Sequence, residues 1–172
     1  MAIFVKIDQE IWEKWKRIGK EKQKSFHNTK NMSEEAHAHQ IAVGHAAQEV
    51  IGKWLKSRYE KFFSVEINLE IGKDQYDTDH ARGLSDVKIN NKKIDIKTKK
   101  ALKPEFEEDD LIIIAEYENS GIRGFNIKGY WVVEDIKNSM RKIRPPYLLP
   151  TKKLSPISKL KKEFYTNERR ET

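Results

Sequence analysis

At 172 residues, 37% hydrophobic and 35% charged, the chain is long enough for one real core and is most simply a single domain. It has no cysteine, which excludes disulfides, iron–sulfur clusters and thiolate zinc sites. Lys and Arg number 34 against 27 Asp and Glu, and the resulting +7 suits a polyanionic partner such as nucleic acid. No apolar run approaches the roughly 20 residues of a membrane span, and residues 1–8 lack the pattern of a secretory signal, so an intracellular (cytoplasmic) protein is expected.

In chain order, residues 2–7 read as a short strand. Asp8 suits the N-cap of a helix to about residue 22, with Ile11, Trp12, Trp15 and Ile18 as its core stripe. Residues 23–32 read as a loop. Ser33 caps a longer helix to about residue 58, with Glu34 and Glu35 at its positive end and Ile41, Val50, Ile51 and Leu55 on its apolar side. His45 and Glu49, four apart, share one face of that helix. Gly44 in its interior costs about 1 kcal/mol, which a close approach of another backbone or of DNA would explain. Alternation of Phe63, Val65, Ile67, Leu69 and Ile71 predicts a strand over 62–71. Residues 72–82 form a polar loop containing Asp74, Asp77, Asp79 and His80. Residues 111–116 form a short apolar run, typical of a strand covered on both faces. A further strand is expected over 125–133, interrupted at Gly129, followed by a helix over 134–141. From residue 143 the chain reads as a basic tail punctuated by Pro145, Pro146, Pro150 and Pro156.

The richest segment lies between those strands. Val87 and Ile89, then Ile94 and Ile96, alternate with polar residues on either side of Asn90-Asn91, a pair that tolerates positive φ and suits a two-residue turn. That loop pairs 89 with 92, 88 with 93, 87 with 94 and 86 with 95. Asp86 then opposes Asp95 at roughly 5 Å between Cβ atoms, and Lys97 shares their face. Asp-x-Lys occurs a third time at Asp135, so register rather than the triplet singles out the pair. Opposed like charges destabilise a sheet, and a divalent cation between them removes the penalty. Mg²⁺ takes oxygen ligands and keeps several waters, so two carboxylates suffice to hold it. Such a cation polarises a phosphate and activates water, and the ammonium of Lys97 stabilises the developing charge.

The order is a helix with Glu49, a strand, a loop, a strand with Asp86, a turn, a strand with Asp95-x-Lys97, then two strands and a helix. It resembles the PD-(D/E)XK nuclease superfamily over roughly residues 40–140, and is similar in layout to compact nucleases of phages and mobile elements. The resemblance implies an α/β protein with a central mixed β-sheet flanked by helices, a restriction-endonuclease-like αβββαβ core. On that reading a helical extension covers about 1–32, the core about 33–142 and the tail 143–172. Two departures stand out: Ser85 where Pro is usual before the first acid, and Asp95 where Glu is usual. By resemblance, Asp86, Asp95 and the backbone carbonyl of Ile96 hold one Mg²⁺ or Mn²⁺. Glu49 binds through water or completes a second site, and His45 fills an accessory place. Lys97 is catalytic, and cleavage leaves 5′-phosphate ends. Lys92, Lys93, Lys99 and Lys100, with Lys152, Lys153, Lys161 and Lys162 of the tail, would track the DNA backbone. The expected function is a metal-dependent DNA nuclease, an endonuclease acting on DNA, with a homodimer as one arrangement for cutting both strands. An exonuclease, a junction resolvase, a non-cutting DNA-binding protein of the same fold and a basic interaction module remain the alternatives.

Overall fold

Alternating apolar and polar residues build a six-stranded mixed sheet that divides the protein into two unequal layers. The computed structural model describes residues 3–24, 32–64, 66–71, 87–118, 122–144 and 146–165. In chain order the elements are β1 (Ile3–Lys6), α1 (Gln9–Gln23), α2 (Glu34–Phe63), β2 (Leu69–Ile71), β3 (Val87–Ile89) and β4 (Lys92–Lys97). Then follow β5 (Leu111–Glu116), β6 (Gly124–Val132), α3 (Val133–Ile136), β7 (Met140–Arg144), β8 (Tyr147–Pro150) and α4 (Lys161–Tyr165). The large sheet runs β1-β6-β5-β4-β3-β2; β4 and β5 are parallel and all its other neighbours antiparallel. β7 and β8 form a separate two-stranded sheet.

The period-two geometry of β5 shows how the layers arise. Leu111, Ile113 and Ala115 join the core beneath α1 and α2, where Val50, Ile51 and Leu55 are buried. Ile112 and Ile114 join a smaller core with Leu102, Phe106, Trp131 and Ile136. A strand buried on both faces is what the unbroken apolar run predicts, and residues 111–115 are all buried. Among the described residues the second core is roofed by the one-turn segment Pro104–Glu108, the short α3, and Met140 and Leu148 of the β7–β8 hairpin.

Several expectations shift. α2 does not stop near residue 58. Tyr59, buried, stacks on Phe63 one turn later, and the helix ends where Ser64 turns left-handed at φ 54. The alternation over 62–71 therefore yields only the three-residue β2. Glu60 fixes the link, accepting from Ile67 N at 3.0 Å and from Lys56 Nζ at 2.6 Å. The helix expected over 134–141 closes after four residues, because Ser139 N and Oγ both donate to the carbonyl of Ile136, at 2.9 and 3.0 Å. Residues 140–144 and 146–165 of the expected basic tail fold as a hairpin and a return to the main core, where Ile157 and Leu160 are buried. Ser155 and Tyr130 exchange two backbone hydrogen bonds of 2.9 Å. β1 is likewise part of the sheet, paired with β6. The loops expected at 23–32 and 72–82 fall largely or wholly outside the described residues.

α1 packs along α2 at a close approach, at Gly19 rather than Gly44. A Cβ on Gly19 would stand 2.5 Å from the carbonyl oxygen of Ala38, whereas one on Gly44 meets nothing within 4 Å. One substitution should thus have opposite signs at the two places. Gly19→Ala is expected to lower the unfolding free energy by about 1–3 kcal/mol by pushing the helices apart. Gly44→Ala should raise it by about 0.5–1 kcal/mol through helix propensity. Urea unfolding of both variants checks this; equal signs would contradict the packing.

Candidate functional site

Asn90 and Asn91 both adopt positive φ, 46° and 66°, as a type I′ turn requires. The turn fixes the register expected from sequence: Val87 opposite Ile94, Lys88 opposite Lys93, Ile89 opposite Lys92. Asp86, and with it the 86–95 pair, lies outside the described residues, as do Asp74, Asp77, Asp79 and His80.

β4 is held on both edges, and its alternation assigns each side chain to a face. Ile94 and Ile96 pair with Leu111 and Ile113 and enter the core beneath α2. Asp95 and Lys97 pair with Ile112 and Ile114 and so belong to the opposite face, that of the smaller core. Asp95 is 6% exposed. Lys97 Nζ lies 3.1 Å from its Oδ1, and among the described residues no other group pairs with this carboxylate. The ammonium is itself half-buried, its side chain 39% exposed. A carboxylate can accept about four hydrogen bonds; among the described residues Asp95 shows one ion pair, to Lys97.

Glu49 is the reverse case. Its carboxylate, buried on α2, accepts from Lys14 Nζ at 2.6 Å and Trp15 Nε1 at 2.5 Å on one oxygen, and from Lys53 Nζ at 2.8 Å on the other. Lys14 also lies 4.8 Å over the Trp15 ring, whose other neighbour is His45, stacked at 4.9 Å and 16°. Burial alone would raise the Glu49 carboxyl, but the donors Lys14, Lys53 and Trp15 outweigh it and hold the pKa at about 2. Glu49 and His45 therefore sit in the α1–α2 interface, across the sheet from Asp95 and Lys97. The structure brings the latter two together and keeps the former two apart from them. Among the described residues no three His, Asp or Glu side chains group closely enough to hold a metal. The i,i+4 pair of Glu49 and Lys53 was readable in sequence. Lys14 and Trp15 were not, since they reach Glu49 only through helix packing 35 and 34 residues away.

Of the expected basic contacts, Lys92 and Lys93 are half-buried on β4, and Lys99 and Lys100 are exposed in the bend that follows it. A cavity of about 610 Å³ lies elsewhere, beside β1 and the start of α1, lined by residues including Phe4, Lys6, Asp8 and Arg123 and by none of the predicted site residues. Compared with protein-family models, with curated proteins and with solved structures, the chain shows no match.

The low pKa of Glu49 gives a signed pH dependence. The folded value, about 2, is below the ordinary 4.5, so its stabilisation is complete above about pH 4.5 and is lost as pH falls toward 2. Glu49→Gln is expected to cost about 1–3 kcal/mol at pH 7, less than a fully buried pair because Lys14 and Lys53 are 39% and 57% exposed. The variant's stability should also fall less steeply than the wild type's between pH 4.5 and 2. Parallel curves in denaturant melts across that range would contradict the assignment.

Proposed function

We propose that the protein is a Mg²⁺- or Mn²⁺-dependent nuclease that hydrolyses phosphodiester bonds in DNA, with its reaction centre at Asp95 and Lys97. The observation that carries this is the contrast between two buried carboxylates: among the described residues Glu49 has three donors, Asp95 a single half-exposed cation. A buried carboxylate whose one ion pair among the described residues is to a half-exposed ammonium is suited to a further cation. The Asp95 carboxylate and the Ile96 carbonyl are hard oxygen donors and fit Mg²⁺ or Mn²⁺. In this reading Asp86, the residue before Val87 in the sequence, is the second carboxylate. Glu49 positions α1 on α2 and is not a ligand.

Topology supports the same reading. A long helix, three antiparallel strands β2-β3-β4, a crossover to the parallel β5 and an antiparallel β6 are compatible with a restriction-endonuclease-like order. The crossover carries one turn, Pro104–Glu108, where that core usually has a full helix.

When bound, the cation supplies Lewis acidity to the phosphate and lowers the pKa of water. The chain's own groups do the rest. Lys97, held by Asp95, orients the attacking water and steadies negative charge on the phosphoryl oxygens. Ile94 and Ile96, locked into the core on the other face, fix where the two side chains stand.

Asp95→Asn and Lys97→Ala are each expected to lower Mg²⁺-dependent cleavage of supercoiled plasmid by at least about 100-fold, with duplex binding retained. Calcium should support binding without turnover, and EDTA should stop cleavage. Undiminished cleavage by both purified variants would remove the assignment. Wild-type binding without cleavage under Mg²⁺ or Mn²⁺ would favour a non-cutting DNA-binding protein of this fold.

A further inference from the structure

The cationic excess of the chain is concentrated. Residues 136–162 contain nine Lys and Arg and no Asp or Glu, more positive charge than the whole chain's +7, so the remainder is slightly acidic. The centre of this stretch is the β7–β8 hairpin. Arg141, Lys142, Ile143 and Arg144 are all exposed on β7, and no carboxylate among the described residues pairs with the three cations.

The hairpin is tied to the candidate site. Leu148 of β8 exchanges two backbone hydrogen bonds with Leu102, of 2.9 and 2.8 Å. Leu102 is five residues beyond Lys97, and the bend between them carries the exposed Lys99 and Lys100. Met140 and Leu148 pack on the core of Ile112 and Ile114, the sheet face to which Asp95 and Lys97 belong. The ribbon thus stands on the side of the sheet that bears Asp95 and Lys97, and among the described residues its outer strand β7 pairs with β8 alone. Charge on an open strand also blocks edge-to-edge pairing. Either sign serves that purpose, whereas every charge here is positive.

We propose that β7–β8 is the duplex-binding element of the protein: a basic two-stranded ribbon that enters the major groove of B-form DNA and holds the duplex over the face bearing Asp95 and Lys97. This rests on the nucleic-acid reading above and names its substrate as a duplex. Charge complementarity selects a polyanion, and shape selects among polyanions. The major groove of B-DNA, about 12 Å wide, admits a two-stranded ribbon. The deep, narrow groove of A-form RNA does not.

The test is fluorescence anisotropy with a labelled DNA duplex in EDTA over a KCl series, so that binding is read without cleavage. The variants are Arg141→Ala/Lys142→Ala/Arg144→Ala and a charge-matched control on α1 and its C-cap, Arg17→Ala/Lys20→Ala/Lys24→Ala. All six residues are exposed, and thermal melts followed by circular dichroism establish that both variants fold. The hairpin variant should bind at least about tenfold more weakly at 0.1 M salt, and its log–log salt slope should shrink by about 2–3, near 0.9 for each phosphate that is no longer neutralised. The control should change neither. Wild-type affinity and slope in the hairpin variant would overturn the ribbon and leave the nuclease reading standing. Equal wild-type affinity for an RNA duplex of the same length would overturn the groove assignment. No duplex binding by the wild type would overturn both readings. Binding lost with the ribbon but no cleavage by the wild type would uphold the ribbon and overturn the nuclease.

Discussion

Everything in this structure that bears on function depends on β4 being unable to slip. The strand is clasped on one edge by β3, through a two-residue turn with both asparagines left-handed, and on the other by the parallel β5. A one-residue shift would push Asp95 and Lys97 into the core beneath α2 and turn Ile94 and Ile96 out of it. Burial of those two isoleucines opposes that shift, so the hydrophobic effect on one face holds a charged pair in place on the other.

The sheet thereby separates two electrostatic environments. On the α1–α2 side Glu49 is saturated by an indole and two ammonium groups, and its low pKa is a stability device that joins two helices. On the other side Asp95 has, among the described residues, one ammonium beside it, and the ribbon and bend nearby are cationic. Glu49, ringed by donors, is structural, and the proposed chemistry is placed at the other buried carboxylate, Asp95. In the proposed reading, exposed cations around an acidic centre also resolve an apparent conflict of sign: the cations would recruit the phosphate backbone, and the acid would take a metal cation.

What the sequence revealed was local. The Asn90-Asn91 turn, its register and the doubly buried β5 were legible because alternation and turn chemistry are short-range signals. Ser33 marks its helix start for the same reason, its hydroxyl accepting from Ala36 N at 3.2 Å. The misread elements depended on distant partners or on ambiguous periods. Aromatic and β-branched residues over 59–71 satisfy a helical spacing at Tyr59 and Phe63 as well as a strand alternation from Phe63 onward, and the packing of Tyr59 decides for helix. Pro146 reads as tail punctuation, yet it stands between the strands of a hairpin whose anchor, Leu102, is 46 residues away from Leu148. Glu49 and His45 shared a helix face as expected, but only the docking of α1 determined that this face is covered by Trp15.

The central claim is that Asp95, and not Glu49, is the carboxylate that takes a divalent cation. Crystals soaked in Mn²⁺ and measured at the manganese absorption edge address it directly. The account predicts an anomalous peak beside the Asp95 carboxylate and none at Glu49. A peak at Glu49, or density around Asp95 without an ion at millimolar Mn²⁺, would contradict it.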